Sequence, residues 1–427
     1  MSTITRIILC CALCLAVLDA AADVIPRLGD NIVRAGPLVD DETLRENVPR
    51  AVPAIADLNL DSDDPNFRRF AVAWIQQVTD DVSFDTYEVL FAAIVDAEGN
   101  PVAAPSRLAR YRTDNLRPSN PAIDADSNGF FTVTWSVLEF DTSAGSRDFN
   151  QTIYARTFRP DPNEGALCPA DGMPVFLEDP PPIDAVLFDT ALFPELDDVA
   201  GNFDLMAAQR ISIDSDSSAA GRTVIVFPDH RAEPNWGVYA VSTNLEVDEP
   251  PPDPSVWCEV DHARLALPDP LAPVTRITGQ GESGVAPRVA VNANNEQAVV
   301  VWRSQEGAIR AQRLNPSGSL RGDPVEVVST PQTIQESVHD PDIDYGPDGF
   351  FRVVWEQSTY RRGDTPASSR ILLSRFDDTG TPLEENQEVA RDDGSQFSSM
   401  FSLRHPRVQA RELDGDFAVS WSRQRDE

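Results

Sequence analysis

The chain has 427 residues and a net charge of −34, with 69 acidic residues against 35 basic ones, every basic one an arginine. A surface this acidic repels phosphate backbones, which excludes nucleic acid as a partner, and it keeps a protein soluble and hydrated. Four histidines and five cysteines, three of them in the first 14 residues, leave no zinc constellation.

The N-terminus reads as an export signal. Arg6 gives the positive start, Ile7 to Leu18 the apolar core, and Ala20-Ala21-Ala22 a small-residue cleavage site ahead of Asp23. The apolar stretch falls short of the ~20 residues that span a bilayer, and no later segment approaches that length. The expectation is a secreted or periplasmic monomer, cleaved after Ala22, with no integral membrane segment. Export also puts Cys168 and Cys258 where a disulfide persists, and a bridge between them is expected.

From there one pattern recurs: proline, an apolar residue two later, a polar turn, then apolar–x–apolar–x–Trp. It runs Pro53 to Trp74, Pro121 to Trp135, Pro287 to Trp302, Pro341 to Trp355 and Pro406 to Trp421, with a degenerate copy from Gln209 to Phe227. Each copy predicts an antiparallel hairpin with one buried face, followed by a third and a weaker fourth strand. Four short strands per unit is the composition of a propeller blade, and the tryptophans are expected to fill the space between blades.

The prediction is therefore an all-β fold, a six-bladed β-propeller of four-stranded antiparallel sheets in one domain, residues 23–427. Blades are placed near 52–110, 119–200, 207–275, 286–335 and 340–395. The sixth is split between the termini, 23–48 plus 405–427, because the last repeat ends after two strands. Gly36-Pro37-Leu38 with Leu44 repeats the fourth-strand offset of Pro382-Leu383 with Val389. Such a clasp would remove exposed sheet edges. Surplus length sits in acid- and proline-rich insertions at 161–204 and 246–273, whose Pro180-Pro181-Pro182 and Pro250-Pro251-Pro252 runs predict extended, solvated chain.

Two places offer chemistry. The turn Asp124-x-Asp126-x-Asn128-Gly129 alternates carboxylate and amide oxygens around a glycine, which suits calcium; hairpin turns also prefer these residues for their own geometry. Weaker relatives include Asp342, Asp344 and Asp348-Gly349. The second place is the rim over the central channel, formed by the loops after strand two and before strand one. It holds candidate catalytic groups His230, Asp229, Glu139 and Glu356, and candidate binding groups Arg231, Arg303, Arg361, Arg423 and Tyr360, with His339 and His405 just ahead of Pro341 and Pro406. Acids, arginines and histidine on one rim suit carboxylate recognition or acid–base work, and a polar rim is also what water prefers. Walker, Rossmann, H-E-x-x-H and G-x-S-x-G motifs are absent from the sequence.

Repeat endings such as Ile309-Arg-Ala-Gln-Arg-Leu314-Asn before Gly318 resemble repeats in large exported bacterial proteins of unassigned role, which implies a propeller and little about activity. The Asp124 turn is similar to calcium loops of integrin-type propellers. Six blades also resemble sialidases, but the Asp124 to Gly129 turn departs from their S-x-D-x-G-x-T-W box spacing, and only Arg50 loosely matches their early arginine. The first expectation is a non-catalytic, calcium-stabilised binding or scaffold propeller recognising glycan or protein at the cell surface. The alternative is a polysaccharide-active enzyme, a sialidase-like hydrolase or a lyase, working at the channel rim.

Overall fold

The computed structural model describes residues 54–58, 69–79, 86–96, 101–113, 116–118, 121–125, 130–140, 149–160, 167–169, 175–176, 182–188, 212–215, 222–229, 237–247, 263–265, 274–280, 282–292, 294–331, 336–360, 366–392, 400–410 and 417–426. Among these the structure is all-β, and all strand pairing is antiparallel within successive sheets. The first sheet is β1 (Ala54–Asp57), β2 (Arg69–Thr79), β3 (Thr86–Asp96) and β4 (Ser106–Arg112), paired in sequence order.

The second sheet contains β5 (Leu116–Pro118), β6 (Ala122–Ala125), β7 (Phe131–Phe140), β8 (Phe149–Pro160), β9 (Leu167–Pro169) and β10 (Pro182–Phe188). Both β5 and β6 pair with β7, so its first strand is interrupted around Pro121. The strand β10 corrects the reading of the Pro180-Pro181-Pro182 run as solvated chain: Pro182 begins a strand that pairs with β8, with a register shift next to the proline. Proline has no donor, and it is tolerated at a strand's first residue.

The third sheet has β11 (Ser212–Ser215), β12 (Arg222–Asp229) and β13 (Gly237–Val247), with β14 (Ala263–Leu265) and β15 (Thr275–Arg276) dividing the outer edge of β13. The fourth is β16 (Gly284–Asn292), β17 (Gln297–Ser304), β18 (Ile309–Leu314) and β19 (Leu320–Val328). The fifth is β20 (Glu336–Tyr345), β21 (Phe351–Tyr360), β22 (Pro366–Phe376) and β23 (Pro382–Asp392), and the chain ends in the pair β24 (Met400–Ala410) and β25 (Phe417–Asp426).

Alternation along each second strand sends successive side chains to opposite faces, so one sheet shares a core with the sheet before it and another with the sheet after. Trp135 packs with Ala73, Leu90 and Leu108 of the first sheet. Phe227, in the tryptophan position of the degenerate repeat, packs with Ile153 and Ala155 of the second. Trp302 packs on Val224 and Val238 of the third sheet, and Trp355 on Val299 and Ile309 of the fourth. All four rings are fully buried. Each removes roughly 150–250 Å² from water, about 4–6 kcal/mol of hydrophobic stabilisation before entropy is counted. Trp135, Trp302 and Trp355 are interior wedges and present no ring to a ligand.

Along the series the first strands β1, β6, β11, β16, β20 and β24 stand side by side. Blade-like sheets with apolar faces turned to their neighbours and first strands gathered together are a propeller arrangement. The Trp74 face of the first sheet differs: its cluster of Val72, Trp74, Val89 and Phe91 holds no residue of another sheet among the described residues, and Ile55 is half exposed. The signal segment and the proposed N-terminal strand of a split blade (23–48) lie outside the described residues.

In the last three repeats the proline does not open the first strand; it sits inside it. Strands β16, β20 and β24 start before Pro287, Pro341 and Pro406, and each changes register there. A residue that cannot donate belongs at a bulge, where the ladder is already broken. At two of these bulges the preceding residue, Ala286 or Asp340, has a positive φ of 50° or 46°. L-residues adopt that region at a cost, so the sheet contacts on either side must hold the bulge in place.

Candidate functional site

Antiparallel pairing brings the C-terminal ends of the second strands to the same end of their sheets as the starts of the first strands. Glu139 lies near the end of β7, Asp229 ends β12, Arg303 is next to last in β17, Glu356 and Tyr360 fall in the last half of β21, and Arg423 in that of β25. For Glu139, Asp229, Tyr360 and Arg423 the placement is that of the backbone. His230, Arg231 and Arg361 lie outside the described residues, as do Asp126, Asn128 and Cys258.

A group of polar side chains gathers on the fifth sheet, at the end that Arg303 of the fourth reaches. His339 of β20 is in direct register with Glu356 of β21, and Ser337 with Ser358. Residues in register share a face, and so do residues two apart, so these four form one polar patch. Within it Ser358 Oγ donates to Glu356 Oε1 at 2.7 Å, and His339 Nε2 lies 2.8 Å from Ser337 Oγ. Arg303 of the fourth sheet reaches the other ring nitrogen, Nη1 to His339 Nδ1 at 2.5 Å. Arg303, His339 and Ser337 are partly exposed, whereas Glu356 is fully buried. Glu356 therefore supports the patch from beneath; the groups that can meet a ligand are the other three.

The sequence points to this patch only in hindsight. Ser337-x-His339 and Glu356-x-Ser358 each have the strand period of two, but nothing local says that the two pairs lie opposite each other. Register decides that, and the bulge at Pro341 shifts it.

A second buried cluster was missed altogether. The residue after the repeated proline is Arg288 in the fourth sheet, Asp342 in the fifth and Arg407 in the last strand pair. Arg288 Nε lies 3.3 Å from Asp342 Oδ1, and Asp342 Oδ2 accepts the backbone N–H of Val408 at 2.9 Å. Each arginine also donates to the carbonyl of its own proline, Arg288 to Pro287 at 3.2 Å and Arg407 to Pro406 at 2.9 Å. Burial holds the Asp342 carboxyl above its ordinary value, although Arg407, Arg288 and two backbone N–H groups oppose it.

Asp342, Asp344 and Asp348, the weaker relatives of the calcium turn, each have protein partners. Asp342 is occupied by Arg288 and Val408; Asp344 Oδ1 accepts the Tyr345 N–H at 2.8 Å. Asp348 binds Arg352 at 2.8 Å and Arg375 at 2.9 Å. Among the described residues no three or more His, Cys, Asp and Glu side chains converge on a metal position. Asp124, the one described member of the stronger turn, lies on β6 opposite Thr132. Cys168 is disulfide-bonded, to a partner outside the described residues.

No protein-family model matches the chain, and neither does any curated protein. Among solved structures it is similar to an α-L-arabinofuranosidase from Fusarium graminearum in complex with an iminosugar inhibitor, at 10% identity and a TM-score of 0.40, over 88% of this chain and 93% of that one. It is similar to a Penicillium chrysogenum α-L-arabinanase complexed with arabinobiose, at 12% identity and a TM-score of 0.38, over 88% and 94%. An ulvan lyase is similar at 12% identity and a TM-score of 0.39, over 84% and 74%. All three are structures of glycan-active enzymes, where the first expectation was a non-catalytic binding or scaffold propeller. No described helix is long and apolar enough to cross a membrane.

Proposed function

We propose that the chain is an exported polysaccharide-active enzyme, a hydrolase or a lyase, that works at the rim formed by the ends of the second strands. The observation that carries this reading is the patch at the junction of the fourth and fifth sheets. There Arg303, His339 and Ser337 form a hydrogen-bonded series at the same end of the sheets as Glu139 and Asp229. Cleaving or eliminating at a glycosidic bond needs groups that exchange protons and donors that bind sugar oxygens. Carboxylates and histidine supply the first, and the Arg303 series the second. Glycans are also the substrates of the similar solved enzymes.

Purified protein incubated with arabinan, ulvan and other plant and algal polysaccharides tests the proposal. Release of reducing ends marks a hydrolase, and unsaturated product ends mark a lyase. Turnover should be lost in Asp229→Asn and His230→Ala. Saccharide binding without turnover across the panel would overturn it.

Around that site we take the sheets to close as six blades, with 23–48 completing the two-stranded last sheet formed within 405–427. The Trp74 face is buried although its cluster holds no residue of another sheet among the described residues, and this supports such closure. A bridge from Cys168 to Cys258, calcium at Asp124, Asp126 and Asn128, and a monomeric secreted or periplasmic state belong to the same proposal. Calcium should raise the melting temperature of metal-stripped protein, and no response would remove it.

A further inference from the structure

Two hydrogen bonds on one imidazole define the role of His339, given the reading of the rim as an active site. A guanidinium has N–H donors only and remains charged at any working pH. Its Nη1 lies 2.5 Å from His339 Nδ1, so that nitrogen must present its lone pair. The ring proton then belongs on Nε2, which donates to Ser337 Oγ at 2.8 Å. A second ring proton would set N–H against N–H and place two positive charges in contact, which disfavours the imidazolium.

We propose that Arg303 is a positioning residue that holds His339 as the neutral Nε2–H tautomer. In that state His339 is a fixed donor and does not exchange protons with a substrate. Ser337 Oγ accepts from the ring and keeps its own hydroxyl proton to donate outward. The ligand atom this suits is a neutral sugar oxygen, a hydroxyl or a glycosidic oxygen. Proton exchange then falls to Glu139, Asp229 and His230, since Glu356 is buried beneath the patch.

The charged surroundings are mixed. Arg303 approaches from β17, Glu356 stands opposite on β21, and Asp340 follows along β20. Arg404 and His405 stand on β24, and Arg288 on β16, both strands adjoining β20. The Arg303 contact at Nδ1 sets the tautomer, because a guanidinium can only donate there.

Nitrogen-15 NMR of the histidine side chains in the full chain tests this without any substrate, with the His339 signals assigned by their loss in His339→Gln. The expected wild-type result is a protonated Nε2 and an unprotonated Nδ1, unchanged from about pH 8 to about pH 5. In Arg303→Gln the same ring should titrate with a midpoint near ~6.5. Arg303→Lys, whose ammonium also only donates, should keep the wild-type tautomer. Wild-type His339 protonated at Nδ1, or titrating near ~6.5, overturns the inference. Because the tautomer is read in the free protein, a failure to find glycan turnover refutes the enzyme reading separately.

Discussion

Replacing Asp342 by alanine removes an acceptor shared by three successive first strands. In the wild type its carboxylate takes Arg288 Nε from β16 and the Val408 N–H from β24, while the charge of Arg407 acts on it as well. Side chains of Arg288 and Asp342 are only 11% and 10% exposed, so water cannot step in for the lost oxygens. Removing one partner of a buried ion pair costs about 3–5 kcal/mol, because the other charge is stranded. Asparagine keeps a side-chain oxygen for the Val408 N–H and should cost less, about 1–3 kcal/mol. Urea unfolding followed through the fluorescence of the buried tryptophans gives both values, with an unchanged slope showing that the change is in stability. A loss below about 0.5 kcal/mol in the alanine variant, the level of an ordinary surface change, would refute the argument.

Acidity offers a second reading of the same group. Burial lifts the folded-state value of Asp342 above the unfolded 3.8, so the folded chain holds that proton more tightly. The resulting stability is fully present below 3.8 and is lost as pH rises through the folded value. Wild-type stability measured relative to Asp342→Asn should therefore fall as pH rises from 3.8. A flat or rising difference contradicts the sign.

Gly284→Ala would place a Cβ 2.6 Å from Trp302 Cδ1 and 2.8 Å from Val238 Cγ2, both in the closed interface of the third and fourth sheets. Overpacking of this kind should cost about 1–3 kcal/mol in the same urea assay, and a neutral result would mean that the interface is loose. At Asp348, burial acts to raise the carboxyl, but the Arg352 hydrogen bond, the Phe350 N–H and the charges of Arg352 and Arg375 win and hold it below 3.8. Its contribution is present above 3.8 and lost as pH falls through the lower folded value, so Asp348→Asn should flatten the acid limb of stability. Peptide mapping without reductant should yield Cys168 joined to Cys258; an alkylated, unreduced Cys258 would exclude that pairing.

The hairpins were legible because a half-buried antiparallel strand imprints a period of two, and the tryptophan marks where the buried face ends. Phe227 shows the tolerance of that code: the degenerate copy still wedges an aromatic ring between sheets. Counting residues beyond each tryptophan also gave the positions of Arg303, Glu356 and Tyr360 late in their second strands. The burial of Glu356 was not legible, since whether a carboxylate at a strand end faces water or the next sheet depends on packing that no spacing records.

Local pattern alone determined that this chain makes repeated antiparallel hairpins with an apolar face, several of them within four-stranded sheets, because alternation and turn chemistry act between residues close in sequence. Only the tertiary structure decided which polar side chains meet. Arg303 finds His339 36 residues away, and Asp342 finds Val408 66 residues away. Such partners are chosen by how neighbouring sheets abut and by where a proline bulge shifts the register, neither of which is encoded in any single repeat.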